Sequence, residues 1–216
     1  FERDGTEHIR EALGRGRGLI IASGHCGNWE IASRLLGSLE ARINIVALDA
    51  EIKTIRQHMH GLQDERRFAL IPADAGPETS LEILAALGRG EVVAMMADRN
   101  LTEGAKHSVG LPFLGSEARF PTGAVLVAAL SGAPLIHAFI MRQGNFRYRL
   151  HAHPAEEYRF GKRSERQAVL RRGVESFAQK MEAELRRFPL QWYNFYDFWG
   201  DWRAMPGSDE GDSQEP

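Results

Sequence analysis

The sequence predicts an α/β fold in which a largely parallel central sheet is flanked by helices. Three observations point there. Short apolar runs of strand length recur along the chain, segments with helical spacing separate them, and the first apolar run enters a glycine-bracketed turn followed by another helix-like segment. Strands alternating with helices are the pattern of parallel strands joined by crossovers.

Taken in order, residues 1–17 are polar, with Ile9, Ala12 and Leu13 at helical spacing, and predict a short helix before the first strand. Residues 19–23, Leu-Ile-Ile-Ala-Ser, form that strand; the turn and a helix near Ile31 come next. Residues 43–48 read as a second strand, 51–67 as a helix, and 68–71 as a short strand stopped by Pro72. Leu81, Leu84 and Leu87 mark a helix over 77–87 that Gly88 ends, and 91–97 then read as a central strand. The glycine-rich segment 101–120 is expected to be a long loop, with Pro121 in the first turn of a helix over 121–130.

Residues 134–141 and 145–152 predict a hairpin about a Gln143-Gly144 turn. His151 and His153 share one face of what reads as an exposed edge strand; no third ligand accompanies them at a diagnostic spacing, so no metal is assigned there. His58 and His60, two apart on a helix, point to different faces and make a poor metal pair. Leu170, Val174, Phe177, Met181, Leu185 and Phe188 recur every three or four residues and make 164–188 the longest helix, its stripe facing the core. The closing aromatic block, 190–202, is read as cover for the core, with an acyl pocket wall or a seat on a bilayer surface as its functional readings.

At 216 residues the chain is long enough for one well-buried domain, expected over residues 1–203, with 204–216 an acidic disordered tail. A formal net charge of −2, from 27 basic and 29 acidic residues, gives no global electrostatic case for nucleic acid. The single cysteine rules out an internal disulfide and a cysteine-based metal cluster. No run reaches the roughly 18 apolar residues of a membrane-spanning helix. The chain starts at Phe1 rather than Met, so an excised piece of a longer protein is expected, with an N-terminal anchor left open.

Residues 24–30, Gly-His-Cys-Gly-Asn-Trp-Glu, hold the candidate chemistry. A histidine oriented by a carboxylate is the minimal set for taking a proton from a hydroxyl, because the carboxylate fixes the tautomer and stabilises the imidazolium. His25 and Glu30 are five apart and meet only if the chain bends between them; Gly27 provides the bend, and Asn28 is placed to cap the next helix. By spacing alone, a histidine that caps or packs in such a turn fits as well.

The block Ser-Gly-His-Cys-Gly-Asn-Trp-Glu at 23–30 resembles the signature of the bacterial lipid A biosynthesis acyltransferase family, within the superfamily of glycerolipid acyltransferases whose shared motif is His, four residues, then Asp or Glu. The resemblance covers about Gly18 to Trp202. It implies an acyltransferase-like αβ sandwich in which His25 is the general base, Glu30 orients it, and the acceptor alkoxide attacks a thioester without an acyl-enzyme intermediate. In the family an arginine near Arg56 lies in the active-site region, and an acidic motif follows the strand that ends here at Asp98-Arg99. The string Pro-Phe-Leu-Gly-Ser-Glu-Ala-Arg-Phe-Pro-Thr-Gly, which includes Arg119, is similar to a further family block.

Gly24, Asn28, Arg56, Asp98, Arg99 and Arg119 are accordingly the expected substrate-binding residues. The resemblance implies no metal and no resident cofactor; the co-substrate is an acyl carrier protein or coenzyme A thioester. The implied partners are a lipid or glycolipid acceptor and a membrane surface, at the cytoplasmic face of the bacterial inner membrane. Where the family commonly continues into a basic His/Arg run, this chain has Asn194, Asp197 and Asp201. Two readings compete: a thiol-dependent hydrolase using Cys26, and a non-catalytic membrane-surface module of the same fold. A nucleotide enzyme is the weakest, since neither a Walker-type lysine nor a Gly-x-Gly-x-x-Gly turn follows Ile21.

Overall fold

The computed structural model describes residues 1–28, 41–59, 68–100 and 107–200. Among these residues the central sheet has seven strands, in spatial order β1 (Glu2–Asp4), β9 (Arg147–Ala152), β8 (Leu135–Gly144), β2 (Leu19–Ser23), β5 (Val92–Met96), β3 (Ile43–Ala47) and β4 (Phe68–Pro72). Every neighbouring pair is parallel except β8 and β9, which form an antiparallel hairpin. A separate antiparallel pair, β6 (Ser108–Phe113) and β7 (Ser116–Pro121), stands beside the sheet. The described helices are α1 (Thr6–Gly14), α2 (Asp49–Met59), α3 (Pro77–Gly88), α4 (Gly123–Ser131) and α5 (Arg166–Arg187).

The middle strands are mostly apolar because both faces of the sheet are covered, with Asn44 of β3 and His137 of β8 as buried polar exceptions. Leu19 and Ile21 of β2, with Val92 and Ile136, meet Ile9 and Ala12 of α1. Ile20 and Ala22, with Val93, Leu135 and Phe139, face the larger core formed with α3, α4 and α5. The stripe of α5 enters that core through Leu170, Val174, Phe177, Met181 and Leu185, all buried. Met181 also reaches the turn after β2: a Cβ added to Gly24 would sit 3.0 Å from its sulfur, so α5 supports that turn from beneath.

Several expectations are corrected. Residues 2–4 form a strand rather than the start of a helix; it pairs in parallel with β9, and Gly5 turns the chain with φ +78° where a Cβ would lie 1.8 Å from the Ala152 carbonyl oxygen. Much of the expected long loop is the β6–β7 hairpin, turned through Leu114 and Gly115, both at positive φ. Gly110 and Pro112 read as breakers in the sequence, but an isolated pair needs only half its backbone groups for the ladder. Pro121 ends β7 instead of opening α4, and Arg119 therefore lies within a strand. The β8–β9 turn falls on Asn145 and Phe146, two residues beyond Gln143-Gly144. The strand carrying His151 is not an edge, since β1 and β8 pair on either side of it. The helix expected near Ile31, Glu30 itself, the second half of the 51–67 helix and the 204–216 tail lie outside the described residues.

Candidate active site

Strands β2 and β5 are adjacent, parallel and in register, Ser23 opposite Met96. Their chains therefore leave the sheet side by side at its carboxyl edge, where open α/β sheets place their ligand sites. The Ala97 amide donates to the Ser23 carbonyl at 2.8 Å, and one residue further on Asp98 meets His25. His25 Nδ1 lies 2.7 Å from Asp98 Oδ1, and the His25 backbone N–H donates to Oδ2 at 3.0 Å. The Trp192 indole donates to the same Oδ2 at 3.3 Å.

Asp98 is fully buried while the His25 side chain is 23% exposed, so the carboxylate is the floor and the imidazole the surface of the site. Burial opposes ionisation of Asp98. The His25 ring, by hydrogen bond and by charge, together with the His25 amide and the Trp192 indole, outweighs it and holds the carboxyl below its ordinary range. An ionised Asp98 accepts from Nδ1–H, which leaves Nε2 as the basic nitrogen of a neutral ring.

The turn that aims His25 is fixed by its neighbours. Gly27 sits at φ +65°, and a Cβ there would lie 1.7 Å from the Ile140 carbonyl oxygen, so no larger residue fits between the turn and β8. The Gly27 amide donates to Gln191 O, the Asn28 amide to Ile140 O, and the Tyr193 amide to His25 O. Residues 189–199 thus form a strap over the turn. Trp192 and Phe198 pack within it against Phe113 and Phe120 of the hairpin, while Leu190, Tyr193, Phe195, Tyr196 and Trp199 stay exposed.

Of the residues expected to bind substrate, Gly24 is in the turn, between Met181 and Asp98. Asp98 is spent on His25 and Trp192 and has no exposed surface of its own. Arg99 donates to the Tyr193 carbonyl and lies 5.8 Å from the Tyr196 ring centroid, and its Nε is buried without a hydrogen-bond partner among the described residues. Arg119 donates from Nε to Ser108 Oγ, and its carbonyl accepts from Asn100, which ties the Arg99 segment to β7. Asn28 contributes its backbone to the turn; its expected cap falls on a helix outside the described residues. The Arg56 backbone is in α2, and its side chain is outside the described set.

Two features escaped sequence reasoning. The contact of Asp98 with His25 depends on β2 and β5 being neighbours, for which a charged residue just past each strand was the only sign. The indole donor of Trp192 was hidden in a block read as packing. Cys26, by contrast, is a poor nucleophile: it is buried, and desolvation together with the charges of Asp98 and Glu184 pushes its thiol up to about 12.

The chain is similar to proteins named as acyltransferases. A phosphatidylinositol mannoside acyltransferase from Mycobacterium tuberculosis is 26% identical over 196 residues, covering 90% of this chain and 58% of the relative. The protein of the same name from Mycolicibacterium smegmatis is 24% identical, covering 89% and 60%. The chain therefore spans a little under two thirds of the length of these curated relatives. Among solved structures, the 1-acyl-sn-glycerophosphate acyltransferase PlsC from Thermotoga maritima superposes with a TM-score of 0.47 at 13% identity, covering 89% of this chain and 73% of that one. The model of the bacterial lipid A biosynthesis acyltransferase family matches residues 1–199, and the chain belongs to that family.

Proposed function

We propose that the chain is the catalytic part of a membrane-associated O-acyltransferase that moves a fatty acyl group from an acyl carrier protein or coenzyme A thioester to a hydroxyl of a lipid or glycolipid. The observation that carries the mechanism is the 2.7 Å contact between His25 Nδ1 and a buried, ionised Asp98. His25 Nε2 takes the proton of the acceptor hydroxyl as its oxygen attacks the thioester carbonyl. The tetrahedral intermediate then collapses, the C–S bond breaks, and the imidazolium returns its proton to the leaving thiolate. Asp98 keeps the ring in the required tautomer and balances its transient charge.

Arg99 is tied to the strap through the Tyr193 carbonyl, its buried Nε has no hydrogen-bond partner among the described residues, and it suits an anionic group of donor or acceptor. A glycolipid acceptor is favoured by the names of the curated relatives. Surface association fits the exposed side chains of Leu190, Phe195 and Trp199 beside the His25 turn. Among the described residues no helix is long and apolar enough to cross a membrane.

The test is acyl transfer from labelled acyl carrier protein and acyl-coenzyme A to a bacterial lipid extract, comparing wild type with His25→Ala, Asp98→Asn and Glu30→Gln. A lipid product made by wild type and lost in the first two variants is expected. Undiminished product from His25→Ala removes the mechanism, and a loss confined to Glu30→Gln among the carboxylate variants moves the orienting role from Asp98 to Glu30.

A further inference from the structure

Three residues along α5 from Met181, two strands and the helix bring together a set of side chains that the acyl-transfer mechanism does not use. His151 of β9 and His153, one residue past the end of that strand, lie side by side with their ring centroids 4.2 Å apart. Glu184 reaches them from α5, with its Oε1 2.7 Å from His151 Nδ1 and only 5% of its side chain exposed. One ligand atom from each of the three residues can be chosen so that all lie within 4.8 Å of one another. Asp4 of β1, in register with His151, places Oδ2 3.9 Å from His151 Nε2, at the ring edge away from Glu184, and also holds Arg149.

A hydrogen-bonded pair accounts for His151 and Glu184 but not for His153. Its Nε2 is buried with no hydrogen-bond partner among the described residues, and its ring sits against another imidazole and edge-on to Phe139. A buried ring nitrogen without a partner is unfavourable, and it is the kind of exception that calls for a ligand.

We propose that His151, His153 and Glu184 form a binding site for a divalent transition-metal ion of the zinc class, with water completing the coordination. Two imidazoles and a carboxylate are a donor set that such ions accept, at metal–ligand distances of about 2.0–2.2 Å. Drawing the three ligand atoms to those distances takes a small inward movement of side chains already in contact. On binding, the ion replaces the proton shared by His151 Nδ1 and Glu184 and satisfies the imidazole of His153.

The consequence is mechanical rather than chemical. The ion would clamp β9 to α5 at Glu184, one helical turn from Met181, the residue that supports Gly24 and the His25 turn. The inference is independent of which reaction the active site performs.

The test uses tag-free protein stripped with chelator, titrated with zinc chloride by calorimetry and melted with and without zinc. One equivalent is expected to bind, and a hundredfold excess of metal over Kd is expected to raise Tm by roughly 5–10 °C. His153→Ala and Glu184→Gln are each expected to weaken binding by more than the 10- to 100-fold typical of losing an outer-shell partner. Glu184→Gln retains side-chain volume and a hydrogen bond to His151, so its melt in chelator checks that the fold survives. Cobalt in place of zinc is expected to give the visible bands of a four-coordinate nitrogen and oxygen site. Absence of binding to the wild type overturns the proposal, and so does binding of equal strength and stoichiometry to both variants, which would place the ion elsewhere.

Discussion

Trp192 donates its indole N–H to Asp98 Oδ2, the oxygen that also accepts from the His25 backbone amide. An aromatic residue of the strap is thus a polar partner of the buried carboxylate. Trp192→Phe keeps much of the ring packing and removes that donor. We expect a loss of about 2 kcal/mol in stability, typical for a hydrogen bond to a buried charge, and reduced acyl transfer. Urea unfolding and initial rates with either donor measure both.

Asp98→Asn tests the carboxylate from two sides. The amide cannot stabilise an imidazolium, so turnover is expected to fall on the order of 10²- to 10⁴-fold. The sign of the pH effect is set by the carboxyl being held below its ordinary value in the folded protein. Its stabilisation is present above the unfolded-state value near pH 4 and is lost as pH falls through the lower folded-state value. Urea midpoints measured downward from pH 6 should therefore decline more steeply below about pH 4 for wild type than for Asp98→Asn.

Gly27→Ala forces a Cβ to within 1.7 Å of the Ile140 carbonyl at a positive φ, and we expect it to destabilise the fold by roughly 3 kcal/mol or more. Gly16 has a similar φ of +70° with nothing within 4 Å of its Cβ position. Gly16→Ala should therefore show only the backbone strain, about 1 kcal/mol. The gap between the two Tm values isolates the close approach of the turn to β8.

Cys26→Ala should retain acyl transfer, since the thiol is buried and held protonated. Native protein should resist a thiol-labelling reagent that modifies it fully after denaturation. Rapid labelling of the folded protein, together with loss of activity in Cys26→Ala, would revive the hydrolase reading.

Leu190 and Phe195 are 93% and 89% exposed on the strap. Changing either to Ser should leave the fold intact and weaken binding to lipid vesicles by roughly tenfold, as expected for removing one inserted apolar side chain. Vesicle sedimentation beside circular dichroism checks this, and unchanged partitioning in both variants would remove the strap from the membrane contact.

The sheet interior was readable because strands buried on both faces are apolar along most of their length, as 19–22 and 92–96 are. Residues 2–4 were not, because Glu-Arg-Asp pairs through its backbone with a single neighbour and carries no pattern of its own. The 108–121 hairpin was masked by Gly110 and Pro112. At the site, the motif located His25 and the position past β5 located Asp98, but their contact spans 73 residues and exists only through the pairing of two strands. The same limit hid Glu184 from His151 and His153: a ligand supplied by a helix 33 residues away leaves no spacing to recognise.

The strap also sets when this site can exist during synthesis. His25 and Asp98 both leave the ribosome well before Trp192, which comes 94 residues after Asp98. At about 5–20 residues per second that interval lasts roughly 5–20 s. Through it the nascent chain has His25 and Asp98 in hand but lacks the indole donor and the backbone contacts of residues 189–199 that close over the turn. The finished site is therefore a late event in translation, and a chain released before the strap emerges has His25 and Asp98 without the cover that the strap lays over their turn.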